Sequence, residues 1–367
     1  MERTDTAHGG GTAGAATATM AAPTTDAPIP APDGSDLPHD LLRSMWETML
    51  LARSLDERMW LLNRAGQAPF AVSCQGHEGA GAGMAAALDP SQDWLVPYYR
   101  DLALVLGMGM TATDVMLQFF SRATDPSSGG RQMPAHYSSR EKRILSVSSP
   151  VGTQLVQAPG IALAAKMRGE TSVTVTCIGE GGTATGEFHE AINLAAIHKL
   201  AVIFFVQNNH YAISVPMPRE VSVPHVADRA VAYGIPGLRV DGNDGVAMLV
   251  AAREAVAHAR AGKGPVLVEA VVNRFTPHSS DDDDRSYRTR EEVESYRESD
   301  PIDVTLRRLQ ELQAIDAEQE AAIRDRVKQA VDAATEAAES APVPDSSTAF
   351  DHVYAMPAHT HTHAHAQ

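Results

Sequence analysis

Two cysteines in 367 residues, Cys74 and Cys177, are too few for a disulfide framework, so the fold must rest on packing and the chain suits a reducing compartment. Both read as packed thiols. Basic side chains are scarce as well: 30 Lys and Arg stand against 46 Asp and Glu, a formal net charge of −16. That balance excludes a predominantly electrostatic grip on nucleic acid. A phosphate site would need a metal, or a few focused cations and backbone amides. No apolar run approaches the roughly 18 residues of a membrane span, and no basic start precedes an apolar stretch. The N-terminus is not arginine-rich, since Glu2, Asp5 and Asp26 oppose a single Arg3. The expectation is a soluble, cytoplasmic protein.

Large apolar side chains are almost missing from residues 1–35, an Ala/Thr/Gly/Pro-rich stretch that reads as a disordered tail. Residues 342–367 turn polar and end in His359, His361, His363 and His365, a low-complexity tail whose imidazoles offer a transition metal a weak hold. Between them, residues 36–341 suffice for one large α/β domain.

That domain shows its periodicity clearly. Leu42, Met45, Trp46, Met49, Leu55, Met59 and Leu62 recur at helical spacing after Asp36, an N-cap candidate, and Pro38. A second helix over 76–88 is crowded with Gly and Ala, which lets its backbone approach a neighbouring helix or a ligand closely. The runs VTVTCI (173–178) and AVIFFVQ (201–207) read as strands covered on both faces. Phe188, Ile192 and Ala195 share a helical face between them, which makes a βαβ unit. Strands over 238–240 and 266–272, a helix over 246–261 and a helix pair over 303–341 complete the alternation. The fold class is α/β, a doubly wound, mostly parallel sheet flanked by helices.

Ligands of such sheets bind at the carboxyl ends of the strands. Gly179-Glu180-Gly181-Gly182 ends the first central strand and Asn208-Asn209-His210-Tyr211 ends the second. If these strands are neighbours, a carboxylate, an amide oxygen and a backbone carbonyl form a hard-oxygen set for Mg²⁺, which would bridge the protein to a diphosphate. Gly179, Gly181 and Ala184 also match G-x-G-x-x-A, a dinucleotide fingerprint. That fingerprint expects an acid at the end of the next strand, where this chain has Gln207, Asn208 and Asn209. A bare pyrophosphate beside Glu180 would also be repelled unless a cation intervened. The metal-bridged diphosphate is therefore favoured over NAD, with an unliganded tight turn as the third reading.

The pairing of Gly179-Glu180-Gly181 with Asn208-Asn209 resembles the G-[DE]-G…NN signature of thiamine diphosphate enzymes. The run GEGGTATGEFHEAINLAAIHKLAVIFFVQNNHYAIS (179–214) is similar to the α subunit of the E1 component of 2-oxo acid dehydrogenase complexes. VPYYRD (96–101), GGRQMPAHYS (129–138), SVSSPVGTQ (146–154), RVDGND (239–244) and RFTPHSSDDDDRSYR (274–288) agree with it. The glutamate and the HSSDDDDRSYR loop resemble the branched-chain type.

This resemblance implies a thiamine diphosphate fold in which Glu180, Asn209 and the Tyr211 carbonyl ligate Mg²⁺ and Gly181 and Gly182 line the diphosphate. Tyr99 and Arg100 match cofactor-contacting residues. Without the resemblance, Arg100 would read as the surface partner of an acid such as Asp101. Ser149 aligns with the aminopyrimidine end. Ser148, the Pro150 carbonyl, Thr153 and Gln154 match a potassium site of some members, and would equally suit a hydrogen-bonded turn. His278 aligns with an active-site histidine near phosphate and substrate, able to donate to an anion and exchange protons near neutral pH. Ser279 aligns with a position phosphorylated in eukaryotic relatives. Asp281 to Asp284 read as a solvated loop, partly anchored by Arg285 and Arg288. Gln207 departs from relatives that carry arginine before the paired asparagines, and supplies less charge toward the cofactor. No glutamate for the pyrimidine is identifiable in the chain. The resemblance assigns it to a β subunit in an α2β2 heterotetramer, with acyl transfer to the lipoyl group of an E2 acyltransferase. Related α chains for pyruvate or acetoin, and a non-catalytic paralogue, are the alternatives.

Overall fold

The computed structural model describes residues 33–354, so the expectations for residues 1–32 and for the histidines after 354 fall outside it. Helix α1 (His39–Arg64) buries Leu42, Met45, Trp46, Met49, Leu55 and Met59 along one face, as their spacing predicts. Its N-cap is Pro38 and no side chain caps it, so Asp36 does not act as expected. Proline's fixed φ already presets the entry. Helix α2 (Glu78–Ala85) is wholly buried, and its small residues serve helix packing. A Cβ on Gly83 would meet the Gly245 carbonyl oxygen at 2.8 Å and Met248 Cβ at 2.7 Å.

Strand β1 (Trp94–Val96), α3 (Leu102–Gly107), α4 (Ala112–Phe119) and α5 (Thr153–Met167) follow. Then β2 (Thr174–Gly179), α6 (Gly186–Ile197) and β3 (Val202–Asn208) make the expected βαβ unit, its strands parallel neighbours. A short antiparallel hairpin, β4 (Tyr211–Ala212) with β5 (Val215–Pro216), leads to β6 (Gly237–Asp241), α7 (Gly245–Arg260) and β7 (Val266–Val271). Helices α8 (Arg290–Tyr296), α9 (Pro301–Glu311) and α10 (Ala317–Ser340) close the order. Beyond them Pro342 accepts a hydrogen bond from Ala123 N at 2.9 Å, and residues 346–350 form a 3-10 turn.

The main sheet has five parallel strands in the order β1-β2-β3-β7-β6. Residues alternate across it, as the pleat requires. Val175, Cys177, Ile203 and Phe205 belong to the core on the face of α1, α2 and α7, while Ile178, Val202, Phe204 and Val206 belong to the core with α5 and α6 on the other. Each fully buried phenylalanine stabilises the sheet by about 1.5–3 kcal/mol. Buried Asp93 accepts from Val173 N at 2.8 Å and from Arg260 at 2.7 and 3.1 Å, which ties β1 and β2 to the end of α7. Among the described residues no helix is long and apolar enough to cross a membrane.

Candidate active site

All the strands of the main sheet run the same way, so the carboxyl ends of β1, β2, β3 and β7 open on one side. Residues 97–100 leave β1, 179–182 leave β2, 209–211 leave β3, and the segment after β7 reaches His278. Together they wall a cavity of about 400 Å³. Of the residues singled out from the sequence, it brings together Tyr99, Arg100, Ser148, Ser149, Pro150, Gln154, Glu180, Gly181, Gly182, Asn209, Tyr211 and His278.

Glu180 follows the register pair Gly179 and Gln207, which sets it beside the end of β3. Asn209 N donates to Glu180 Oε2 at 3.1 Å, although the two are 29 positions apart. The Glu180 side chain is 1% exposed and its Oε1 has no partner. Burial pushes this carboxyl up to about 7. Asn209 Oδ1 accepts from Tyr211 N at 3.3 Å, and its Nδ2 faces His77 Nε2 at the same distance. An amide nitrogen only donates, so His77 Nε2 accepts and holds the Asn209 oxygen on the opposite side. The chain turns here through His210 at φ +69°, and Ile213, a β-branched residue in the cavity wall, sits at φ +54°. Such strain persists only where the surroundings over-determine it. An acid buried with one free oxygen beside an amide oxygen suits a hard divalent cation, and these residues fit Mg²⁺. Among the described residues no three His, Cys, Asp or Glu side chains group as a metal set, which a site with one carboxylate does not require.

The glycines after Glu180 line the cavity and also permit close packing behind it. A Cβ on Gly181 would meet Ala212 Cβ at 2.3 Å and Glu220 Oε2 at 2.5 Å, and one on Gly182 would meet the Ile178 side chain at 2.4 Å. They let the hairpin and strand close in, with their backbone on the cavity wall.

Arg100 is buried, and it does not pair with Asp101. Its guanidinium donates to the Ser73 carbonyl, to the His278 carbonyl at 2.9 Å, and to His278 Nδ1 at 3.0 Å, with the Tyr99 ring 5.2 Å from its central carbon. Because a guanidinium cannot accept, Nδ1 must, and the His278 proton sits on Nε2. Burial and the charges of Arg100 and Arg274 push this imidazole down to about 4. Gln207 does not line the cavity: its amide donates to Asp101, whose carboxyl burial raises to about 7. Thr153 accepts from Ser148 and donates to the Pro150 carbonyl at 3.2 Å, while Gln154 donates to the Cys177 carbonyl at 2.9 Å. That turn satisfies itself.

In the loop after His278, Asp283 pairs with Arg285 in solvent and Asp284 with buried Arg288, as read. Asp282 differs from the solvated reading. It accepts from His278 N at 2.8 Å and from the Tyr287 hydroxyl at 2.5 Å. Ser280 docks the loop on Ala71 through its N at 2.9 Å and its Oγ at 3.1 Å. Sequence reasoning also missed His77, His136, Glu220 and Arg274. His136 and Arg274 lie inside quoted segments, but nothing in the linear pattern aims them at the site.

Residues 46–347 match the family model described as Dehydrogenase E1 component. The chain belongs to the dehydrogenase E1 component family. Its members are thiamine diphosphate-dependent oxidoreductases, and their α chains work in multienzyme complexes beside a β chain. A 2-oxoisovalerate dehydrogenase subunit alpha of Bacillus subtilis is 50% identical over 85% of this chain and 94% of its own length. A 3-methyl-2-oxobutanoate dehydrogenase subunit alpha of Mycobacterium tuberculosis is 42% identical over 73% of this chain and 70% of its own. A pyruvate dehydrogenase E1 component subunit alpha of Staphylococcus aureus reaches 37% over the same shares.

Proposed function

We propose that the chain is the α subunit of a branched-chain 2-oxo acid dehydrogenase E1, acting with a β subunit as α2β2 in the cytoplasm and passing acyl groups to the lipoyl arm of an E2 acyltransferase. The observation that carries it is Glu180, buried with a free oxygen next to Asn209 on the adjoining strand. Glu180, Asn209 and the Tyr211 carbonyl hold Mg²⁺. Arg100 and His278 Nε2–H would donate to the diphosphate and the 2-oxo acid, with Tyr99 shelving the guanidinium. Thiamine diphosphate, when bound, supplies a carbon nucleophile and an electron sink for decarboxylation. The chain's own part is to bind, orient and hold the proton on His278 Nε2. The turn of Ser148, Pro150, Thr153 and Gln154 satisfies its own hydrogen bonds, so a potassium ion there would have to displace them. Residues 36–341 form the working domain.

Greater identity to the two branched-chain relatives than to the pyruvate enzyme favours branched substrates. The test is to combine the chain with its β partner, Mg²⁺ and thiamine diphosphate and to compare decarboxylation of 3-methyl-2-oxobutanoate with that of pyruvate. Faster turnover of the branched acid is expected. A preference for pyruvate overturns the substrate assignment, and no turnover of either favours the non-catalytic paralogue.

A further inference from the structure

His77 does not line the cavity, but it holds a residue that does. Both it and Asn209 are buried. The backbone N–H of Tyr211 donates to Asn209 Oδ1 at 3.3 Å, which leaves Nδ2 facing His77 Nε2, also at 3.3 Å. Nε2 therefore accepts, and the ring proton sits on Nδ1, where it has no partner. A buried N–H left unpaired disfavours this tautomer, so the bond at Nε2 is what retains it. Turning the amide over would set Nδ2 against Tyr211 N, donor facing donor, and put a nitrogen in place of the oxygen on the side away from His77. The segment that carries the imidazole is fixed from several directions. Buried Asp56 accepts from Ser73 Oγ at 2.6 Å, Gln75 Nε2 at 2.9 Å and Cys74 N at 3.2 Å. Buried Glu78, paired with Arg53 at 2.6 Å, accepts from Gly76 N at 2.8 Å. Gly76 lies at φ +95°, and a Cβ there would run into the Asn273 carbonyl. His77 N is bonded to the Cys74 carbonyl at 2.9 Å, so the ring enters α2 with little freedom to follow a turning amide.

We propose that His77 is a positioning residue that locks the Asn209 amide with its oxygen turned away from the ring, so that the oxygen donors for a divalent cation are set before the ion arrives. An unlocked amide offers either end, and its N–H groups repel a cation, so binding must then supply the reorientation. The imidazole acts through the acceptor at Nε2 and not through its bulk. The inference rests on the reading of Glu180, Asn209 and the Tyr211 carbonyl as a Mg²⁺ seat.

The test uses the chain reconstituted with its β partner and saturating thiamine diphosphate, and calorimetry reads Kd for Mg²⁺. His77→Gln carries an acceptor to the Nε2 position and should keep Kd within about threefold. His77→Leu has no acceptor, and the acceptor of His77→Asn reaches only the Nδ1 position; each should weaken Mg²⁺ binding by about tenfold. In an Asn209→Ala background, titrated at higher Mg²⁺, the same three substitutions should change Kd by less than about twofold, because the residue through which His77 acts is gone. Unchanged Kd in His77→Leu and His77→Asn overturns the inference. So does equal weakening by all three variants, or weakening that persists without Asn209, since either marks a merely structural residue. Should His77→Leu fail to assemble, the comparison of His77→Gln with His77→Asn decides alone. A wild-type complex that takes up no Mg²⁺ overturns the metal reading as well, and is told apart by that absence of binding.

Discussion

Replacing Glu180 by glutamine separates the electrostatic cost of the site from its fold. Burial lifts the carboxyl from 4.5 to about 7, so its ionised form is disfavoured by about 3 kcal/mol in the folded chain. The sign follows from proton linkage. Between the unfolded and folded values the native state binds more protons than the unfolded one, so stability is full below pH 4.5 and is lost as pH rises through 7. Glutamine has no proton to lose. Its amide nitrogen at the unpartnered Oε1 position adds a pH-independent penalty of about 1–3 kcal/mol. The difference in unfolding free energy between Glu180→Gln and wild type should therefore shift toward the variant by about 3 kcal/mol from pH 4.5 to pH 8. That corresponds to about 6 °C in Tm for a domain of this size. Scanning calorimetry of chelator-treated protein across that range reads it. Adding Mg²⁺ with thiamine diphosphate at about 100 times Kd should then stabilise wild type by about 2.7 kcal/mol and leave the variant unmoved. Parallel pH curves for the two proteins would refute the buried acid, and equal stabilisation by the metal and cofactor would refute its role as a ligand.

Three further expectations follow from neighbouring contacts. Gln207→Arg should change cofactor Kd by less than about twofold, because Asp101 would capture the guanidinium; a tenfold tightening by calorimetry would show that position 207 reaches the diphosphate. Asp282→Asn should weaken the contacts to His278 N and the Tyr287 hydroxyl and cost about 1–3 kcal/mol locally, read as faster amide exchange over 276–288, and unchanged protection would count against Asp282 as the loop's anchor. If potassium seats at the Ser148 to Gln154 turn, exchanging it for a bulky organic cation at constant ionic strength should lower Tm by a few degrees, an effect that Thr153→Val abolishes; equal Tm in both salts removes potassium from the site.

What the sequence made legible was local or periodic. The strand of VTVTCI and the strand of AVIFFVQ stand out because both faces are buried, and the structure places them within one residue of the expected bounds. Glu180 and Asn209 were readable since each directly ends its strand. Strand β1 was not, because three residues at a sheet edge carry too little pattern. Gln207 was misjudged for a geometric reason: it is the last strand residue but one, still inside the sheet, and its side chain meets Asp101 before any cavity. His136, Asp282 and Arg274 act through partners that lie 13, 4 or 5, and 61 or 13 positions away, distances set by folding and not by any spacing rule.

The charges in the cavity bear on how a protein of net charge −16 would hold a diphosphate under the proposed function. Two carboxylates line it, Glu180 and Glu220, and both flank Gly181. Its one lining guanidinium, Arg100, already serves Ser73 and His278. If, as proposed, a divalent ion seats at Glu180, it would offset the two carboxylates toward an incoming polyanion. At the other end, among the described residues, the wall formed by residues 135–154 offers hydroxyls, an imidazole and an amide but no carboxylate. Under the proposed function, a carboxylate able to exchange a proton with an amino-substituted ring would come from outside this wall. On the same reading, the group that activates the ring would be supplied by the β subunit, and the α chain's part would be to grip the phosphate and orient the ring.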